Sequence, residues 1–193
     1  MRDLDSGQKC KRLFIALIIP EGIRKSLFKS ISGLYAGDRE IRQVPVDNIH
    51  LTLKFLGDTG CDRIEKIAHA VKQTSEKFEK FYYFISEKPG AFPSLKSAGV
   101  MFAQVDDGSK KIESIFTELE NMLCKIKIRK EPRKFVSHIT LARIRNRKDL
   151  TISAGKLMFE VKNPVLCSKI ALFESVLKPS GAEYMTLNEF ELK

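Results

Sequence analysis

Asn48-Ile-His-Leu-Thr-Leu53 and Val136-Ser-His-Ile-Thr-Leu141 are the two stretches on which the reading of this chain turns. Both carry the pattern His-aliphatic-Thr-Leu, and each follows a helical segment and a loop. The chain has only three histidines, His50, His69 and His138, and two of them sit in this pattern. Threonine fills seven of 193 positions. A threonine two places after two of three histidines is then a chance event of about 0.4%. The repeat points to two related lobes that bring the two copies face to face.

Strand parity gives the repeat a chemical meaning. Residues two apart on a β-strand project from the same face. His50 and Thr52 then share one face, while Leu51, Leu53 and Phe55 turn into the core. His138 and Thr140 repeat the arrangement, with Ile139 and Leu141 inward. Each strand offers one imidazole and one hydroxyl side by side, held by apolar neighbours, which is the pre-organisation a reacting site needs.

Outward from these motifs, Arg12 to Ile19 is a β-rich run closed by Pro20. Helical apolar spacing runs over 21–36 at Ile23, Leu27, Ile31 and Leu34. It recurs over 62–79, at Ile64, Ile67, Ala68 and Val71, and over 109–126, at Ile112, Ile115, Phe116, Leu119, Met122 and Leu123. Strands are expected at Asn48–Leu56, Phe81–Ile85 and Val100–Val105, and near 136–144, 157–162, 168–176 and 184–192. Lys88 to Gly99 reads as a turn-rich loop. Strands interleaved with three helices imply an α+β fold. With no linker or low-complexity stretch, residues 1–193 read as one domain of two lobes, residues 1–10 being a frayed leader.

Composition narrows the function classes. Hydrophobic residues make up 43% and charged residues 30%, a folded, soluble balance. No apolar run approaches the length of a membrane span, and Leu13–Ile19 lacks the features of a secretory signal. Cys10, Cys61, Cys124 and Cys167 are scattered, which argues against zinc ribbons and dithiol redox motifs and suits a reducing cytoplasm. The net charge of +10 implies an anionic partner, with nucleic acid foremost. From Lys125 to Lys148 ten lysines and arginines are opposed by Glu131 alone, a plausible track for a phosphate backbone. A solvated helix face and loop would look much the same.

Two facing His/Thr pairs can act as an acid–base device. Histidine has both protonation states available near neutrality. One imidazole could activate water while the other protonates a leaving oxygen, and the threonine hydroxyls could donate to charge building on a phosphate. A single His-x-Thr on a strand is usually an ordinary polar pair, and the repetition is what raises it above that. Metal binding is disfavoured, since no Asp, Glu or Cys shares a face with either motif. His69 reads as a helix-surface residue.

The chain resembles the two-histidine phosphoesterases, specifically the LigT-like RNA 2′,3′-cyclic phosphodiesterases. The matching segments are Arg12-Leu-Phe-Ile-Ala-Leu17, Asn48 to Gly57, Gly90-Ala-Phe-Pro93, Lys134 to Arg143, Phe173-Glu-Ser175 and Gly181-Ala-Glu-Tyr184. The resemblance implies a two-lobed fold whose antiparallel sheets line a central cleft with helices outside. It implies hydrolysis of a terminal 2′,3′-cyclic phosphate to a 2′-phosphate, with 2′–5′ RNA ligation as a reverse activity, and no metal or other cofactor. It makes His50 and His138 the catalytic pair and Thr52, Thr140 and Arg143 phosphate ligands. His50 would protonate the departing 3′ oxygen and His138 would activate water. Strict alternation puts Arg143 on the face opposite His138, a conflict that a bulge beyond Thr140 would remove. Phe14 and Phe55 are candidates for a base-binding wall, though parity favours core for Phe55.

Departures from the family pattern are Ser137, where proline is frequent, Val44 in place of an aromatic, and the lack of tryptophan. The expected partner is RNA with a cyclic phosphate end, bound by a monomer. Two other readings stay open: a non-catalytic protein that binds RNA ends, and a relative acting on a small cyclic or 2′–5′-linked nucleotide.

Overall fold

The computed structural model describes residues 10–32, 37–179 and 181–193. Most of the expected leader, and the last turn expected of the first helix (33–36), lie outside the described residues. The chain forms β1 (Cys10–Leu17), α1 (Glu21–Ser32), β2 (Ile41–Gln43), β3 (Leu51–Gly60), α2 (Ile64–Ser75), β4 (Phe81–Tyr83) and β5 (Ile85–Phe92). It continues with β6 (Ala98–Val105), α3 (Ser109–Lys125), β7 (His138–Lys148), α4 (Thr151–Gly155), β8 (Val165–Cys167), β9 (Lys169–Lys178) and β10 (Gly181–Glu191).

Two antiparallel four-stranded sheets carry the motifs. One has the order β10-β9-β1-β3 and the other β2-β7-β6-β5, while β4 and β8 form a separate small pair. The first histidine motif enters β3 and the second enters β7. β1 alternates regularly, so Leu13, Ile15 and Leu17 meet the helices and join a buried cluster that extends to Ile139 and Leu141 of β7. The amphipathic helices seal this core. Ile67 and Val71 of α2, with Ile112, Ile115 and Leu119 of α3, are fully buried. Phe116 is only partly buried and stacks on Phe135, ring centroids 4.3 Å apart.

The segment that passes from β2 to β3 is anchored to both sheets close to the motifs. Val44 N–H, just ahead of the first motif, donates to the carbonyl of Leu141 in the second at 2.8 Å. The Asn48 side-chain amide donates to the Ala182 carbonyl at the start of β10 at 2.7 Å.

The structure differs from the sequence expectation in several elements, among them the short strands β2 and β8, which lie outside the expected set, and a break at Phe84 in the strand expected over 81–85. Lys88–Gly99 is not a loop: Pro89, Gly90 and Phe92 belong to β5. Proline is tolerated there because β5 is an edge strand. Gly90 is needed for close approach rather than for a turn, since a Cβ on it would lie 2.4 Å from the Phe102 ring. Residues 157–162 form no strand. Leu157, Phe159 and Val161 are alternately buried, but a backbone bond from Phe159 to Glu87 leads to no ladder. A fourth, five-residue helix, α4, lies outside the expected set. No helix among the described residues is long and apolar enough to cross a membrane.

Candidate active site

Two matching β-bulges build the site. In β3 the partners of Ile15 and Ala16 are Lys54 and Thr52, so Leu53 is the extra residue. In β7 the partners of Met101 and Phe102 are Ala142 and Thr140, so Leu141 is extra. A bulge lets two consecutive residues point the same way and reverses the parity beyond them. Leu53 and Lys54 are accordingly both buried, as are Leu141 and Ala142. Phe55 and Arg143, each five residues after its histidine, emerge on the same face as the imidazole.

Parity had assigned Phe55 to the core; it is instead 61% exposed, and the bulge is the reason. The same device removes the conflict over Arg143, which is exposed beside Thr140 rather than behind it. A second irregularity in β3 skips Leu56, with Gly57 at a left-handed φ of 68°. The cleft-side ladder therefore runs Thr52, Phe55, Asp58 against Ala16, Phe14, Arg12.

The histidines are oriented alike. Nδ1–H of His50 donates to the Asn48 carbonyl at 2.8 Å, and Nδ1–H of His138 donates to the Val136 carbonyl at 2.7 Å. An acceptor at Nδ1 sets the neutral tautomer with its lone pair on Nε2. The Thr52 hydroxyl donates to His50 Nε2 at 2.8 Å. Nε2 of His138 is the atom available to a ligand.

Aromatic side chains surround both rings. Phe14 lies 4.8 Å from His50 and stacks on Phe173 at 5.0 Å, while Tyr184 meets His50 edge-on at 5.3 Å. Phe92 and Phe102 meet His138 edge-on at 5.0 and 5.4 Å. Of these five, only Phe14 was weighed from the sequence. Its place on the cleft side of β1, opposite the core-facing Leu13 and Ile15, was legible there.

This setting disfavours positive charge on either ring. Burial, above all, pushes His50 down to about 4, and the nearby charges of Arg143 and His138 add to the fall. His138 is lowered too, first by burial and then by Arg143. Arg143 is thus felt by both imidazoles. The bonds to Asn48 and Val136 act the other way but are outweighed. Beside His50 opens a cavity of about 460 Å³ lined by Arg42, Val44, Asn48, Arg143, Glu183 and Tyr184. His69 stands apart on α2, exposed on the helix surface as the sequence suggests. Among the described residues no three His, Cys, Asp or Glu side chains gather as a metal site.

Paired His-x-Thr motifs on two antiparallel sheets, with an arginine whose charge reaches both imidazoles, define a two-histidine phosphoesterase architecture. The chain belongs to the LigT like phosphoesterase family, whose model matches residues 17–102 and 104–184. It is 31% identical over 179 residues to an RNA 2′,3′-cyclic phosphodiesterase of Aquifex aeolicus, covering 90% of this chain and 89% of the relative. A protein of the same name from Methanothermobacter thermautotrophicus is 29% identical over 184 residues, covering 94% and 98%. A crystal structure from Thermus thermophilus superposes with a TM-score of 0.77 at 26% identity, covering 94% and 97%. Escherichia coli LigT shares the fold, with a TM-score of 0.78 at 20% identity over 96% and 99% of the two chains.

Proposed function

We propose that the protein is an RNA 2′,3′-cyclic phosphodiesterase that opens the terminal cyclic phosphate to a 2′-phosphomonoester by histidine acid–base catalysis. The observation that carries this reading is the pair of imidazoles with matched Nδ1 anchors and Arg143 acting on both. The names of the relatives point the same way.

In this scheme Arg143 and the hydroxyls of Thr52 and Thr140 bind the non-bridging oxygens, where charge accumulates. Nε2 of His138 takes a proton from water as its oxygen bonds to phosphorus. The bond from phosphorus to O3′ breaks, and Nε2–H of His50 delivers a proton to O3′. Once His50 carries that proton, the Thr52 hydroxyl no longer donates to Nε2 and is free to donate to the phosphate. His50 must be protonated by the time the substrate is bound. The anionic phosphate and its pairing with Arg143 both raise His50 from its depressed value. Phe55, exposed across from Phe14, offers a surface on which the terminal base can stack. The same path, with an RNA 5′-hydroxyl attacking phosphorus in place of water and O3′ leaving, would form a 2′–5′ phosphodiester.

The test is identification of the product. A short RNA ending in a 2′,3′-cyclic phosphate should yield a 2′-phosphomonoester, resolved from the 3′ isomer by chromatography. A 3′-phosphate product would reverse the assignment of the leaving oxygen, and no turnover would contradict the reading.

A further inference from the structure

A second pocket, of about 240 Å³, lies where the end of β3 meets the loop following α3, and Asp58, Thr59, Arg63, Lys127 and Arg129 line it. We propose that this pocket binds a backbone phosphate of the RNA a few nucleotides upstream of the reacting end. The proposal rests on the RNA reading above and extends it to a longer substrate.

Position is the first support. The cleft-side ladder of β3 leads from Thr52 through Phe55 to Asp58, and the pocket opens at the end of that line. Thr52 and Thr59 are roughly 20 Å apart at the usual rise per strand residue. An RNA whose last base stacks at Phe55 would run toward the pocket.

Charge is the second. Arg63, Lys127 and Arg129 have no carboxylate partner within ion-pair distance among the described residues, and Asp58 is faced across the ladder by Arg12. The pocket therefore keeps a net positive charge for an anion.

Backbone conformation is the third. Lys127 has a φ of 62° at the residue where the chain leaves α3, and Cys124 O and Leu123 O accept from Lys127 N–H and Ile128 N–H. This left-handed position is normally filled by glycine, because a side chain there is strained. The chain accepts that strain and places a cation at the pocket.

The loop is fixed without a ligand. The Arg63 guanidinium donates to the Ile126 carbonyl at 2.8 Å, Lys54 Nζ to the Arg129 carbonyl at 2.9 Å, and Glu131 N–H to the Glu120 carboxylate at 2.7 Å. Lys54 and Glu120 are themselves ion-paired at 2.7 Å and nearly inaccessible. The cations are thereby held on a pre-set wall.

Lys127→Gly combined with Arg129→Ala removes two charges and relieves the left-handed residue, so the fold should persist. With a ten-nucleotide RNA ending in a cyclic phosphate, kcat/KM should fall by about tenfold or more through KM, and the salt slope should shrink by about 0.7 per lost contact. With a nucleoside 2′,3′-cyclic monophosphate, kcat/KM should not change. An equal loss on both substrates, or no loss on the ten-mer, would overturn the proposal. If wild type hydrolysed neither substrate, the phosphodiesterase reading would fail instead. Anisotropy of a labelled ten-mer would then decide the pocket alone, and a salt slope unchanged in the variant would overturn it.

Discussion

Phe55 and Arg143 occupy equivalent places in the two halves of the site, each five residues beyond its histidine and each turned onto the cleft by a bulge. Their chemistries differ, so the two-fold similarity of the site is broken there. In the proposed scheme Arg143 binds the phosphate, and Phe55 offers a stacking surface. Arg143→Ala should lower kcat by about 10²–10³, as loss of one preorganised donor to a developing charge does. Phe55→Ala should raise KM with kcat little changed, because stacking of one base is worth about 1–3 kcal/mol. Steady-state kinetics separates the two effects. A reversed pattern would mean that these roles are exchanged.

With the histidines as acid and base in the proposed scheme, their surroundings predict the pH dependence. In the free protein both imidazoles titrate below their ordinary value, His50 at about 4. Because kcat/KM reports the free enzyme, its bell-shaped profile should centre below pH 6.5. The profile of kcat should lie at higher pH, because the bound anion raises both groups. Coinciding optima would contradict the environment described for His50.

Folding stability is linked to the same group. The fold favours neutral His50, whereas the unfolded chain binds a proton near pH 6.5. The unfolded state therefore holds more protons between about 4 and 6.5, and stability falls as pH drops through that window. Thermal melts from pH 7 to pH 4 should show a smaller decline in His50→Gln than in wild type. An equal decline would place the sensitivity elsewhere.

Much of this site was legible in the sequence, and the remainder was hidden for an identifiable reason. The His-x-Thr repeats required only that side chains two apart share a face, and both pairs do. Phe55 was misplaced because alternation assumes an unbroken ladder. The bulge at Leu53 turns Lys54 inward onto a buried partner, Glu120, 66 residues away in α3. Nothing local to the motif signals that partner. Gly90 and Pro89 read as a turn because their neighbours, the Phe102 ring and an open sheet edge, are properties of the assembled sheet. The aromatic ring around His50 draws on β1, β9 and β10, segments far apart in the chain.

The Lys54–Glu120 pair invites a double-mutant test. Lys54→Met leaves the Glu120 carboxylate buried beside an apolar chain and should destabilise by about 3–5 kcal/mol. Combining it with Glu120→Leu should restore much of the melting temperature. Activity should stay reduced in the double variant, because the ties to Arg129 and Glu131 that fix the loop leading to His138 are gone. Full recovery of both properties would show that the pair serves stability alone.

The central claim is that two histidines, without a metal, open the cyclic phosphate. The most direct measurement is hydrolysis of a short RNA ending in a 2′,3′-cyclic phosphate, in excess EDTA, by wild type, His50→Ala and His138→Ala, with circular dichroism as a check on folding. Wild type should turn over, and each folded variant should lose about 10²–10⁴ in rate, the usual worth of one acid or base. Turnover undiminished in either variant, or abolished in wild type by EDTA, would contradict the claim.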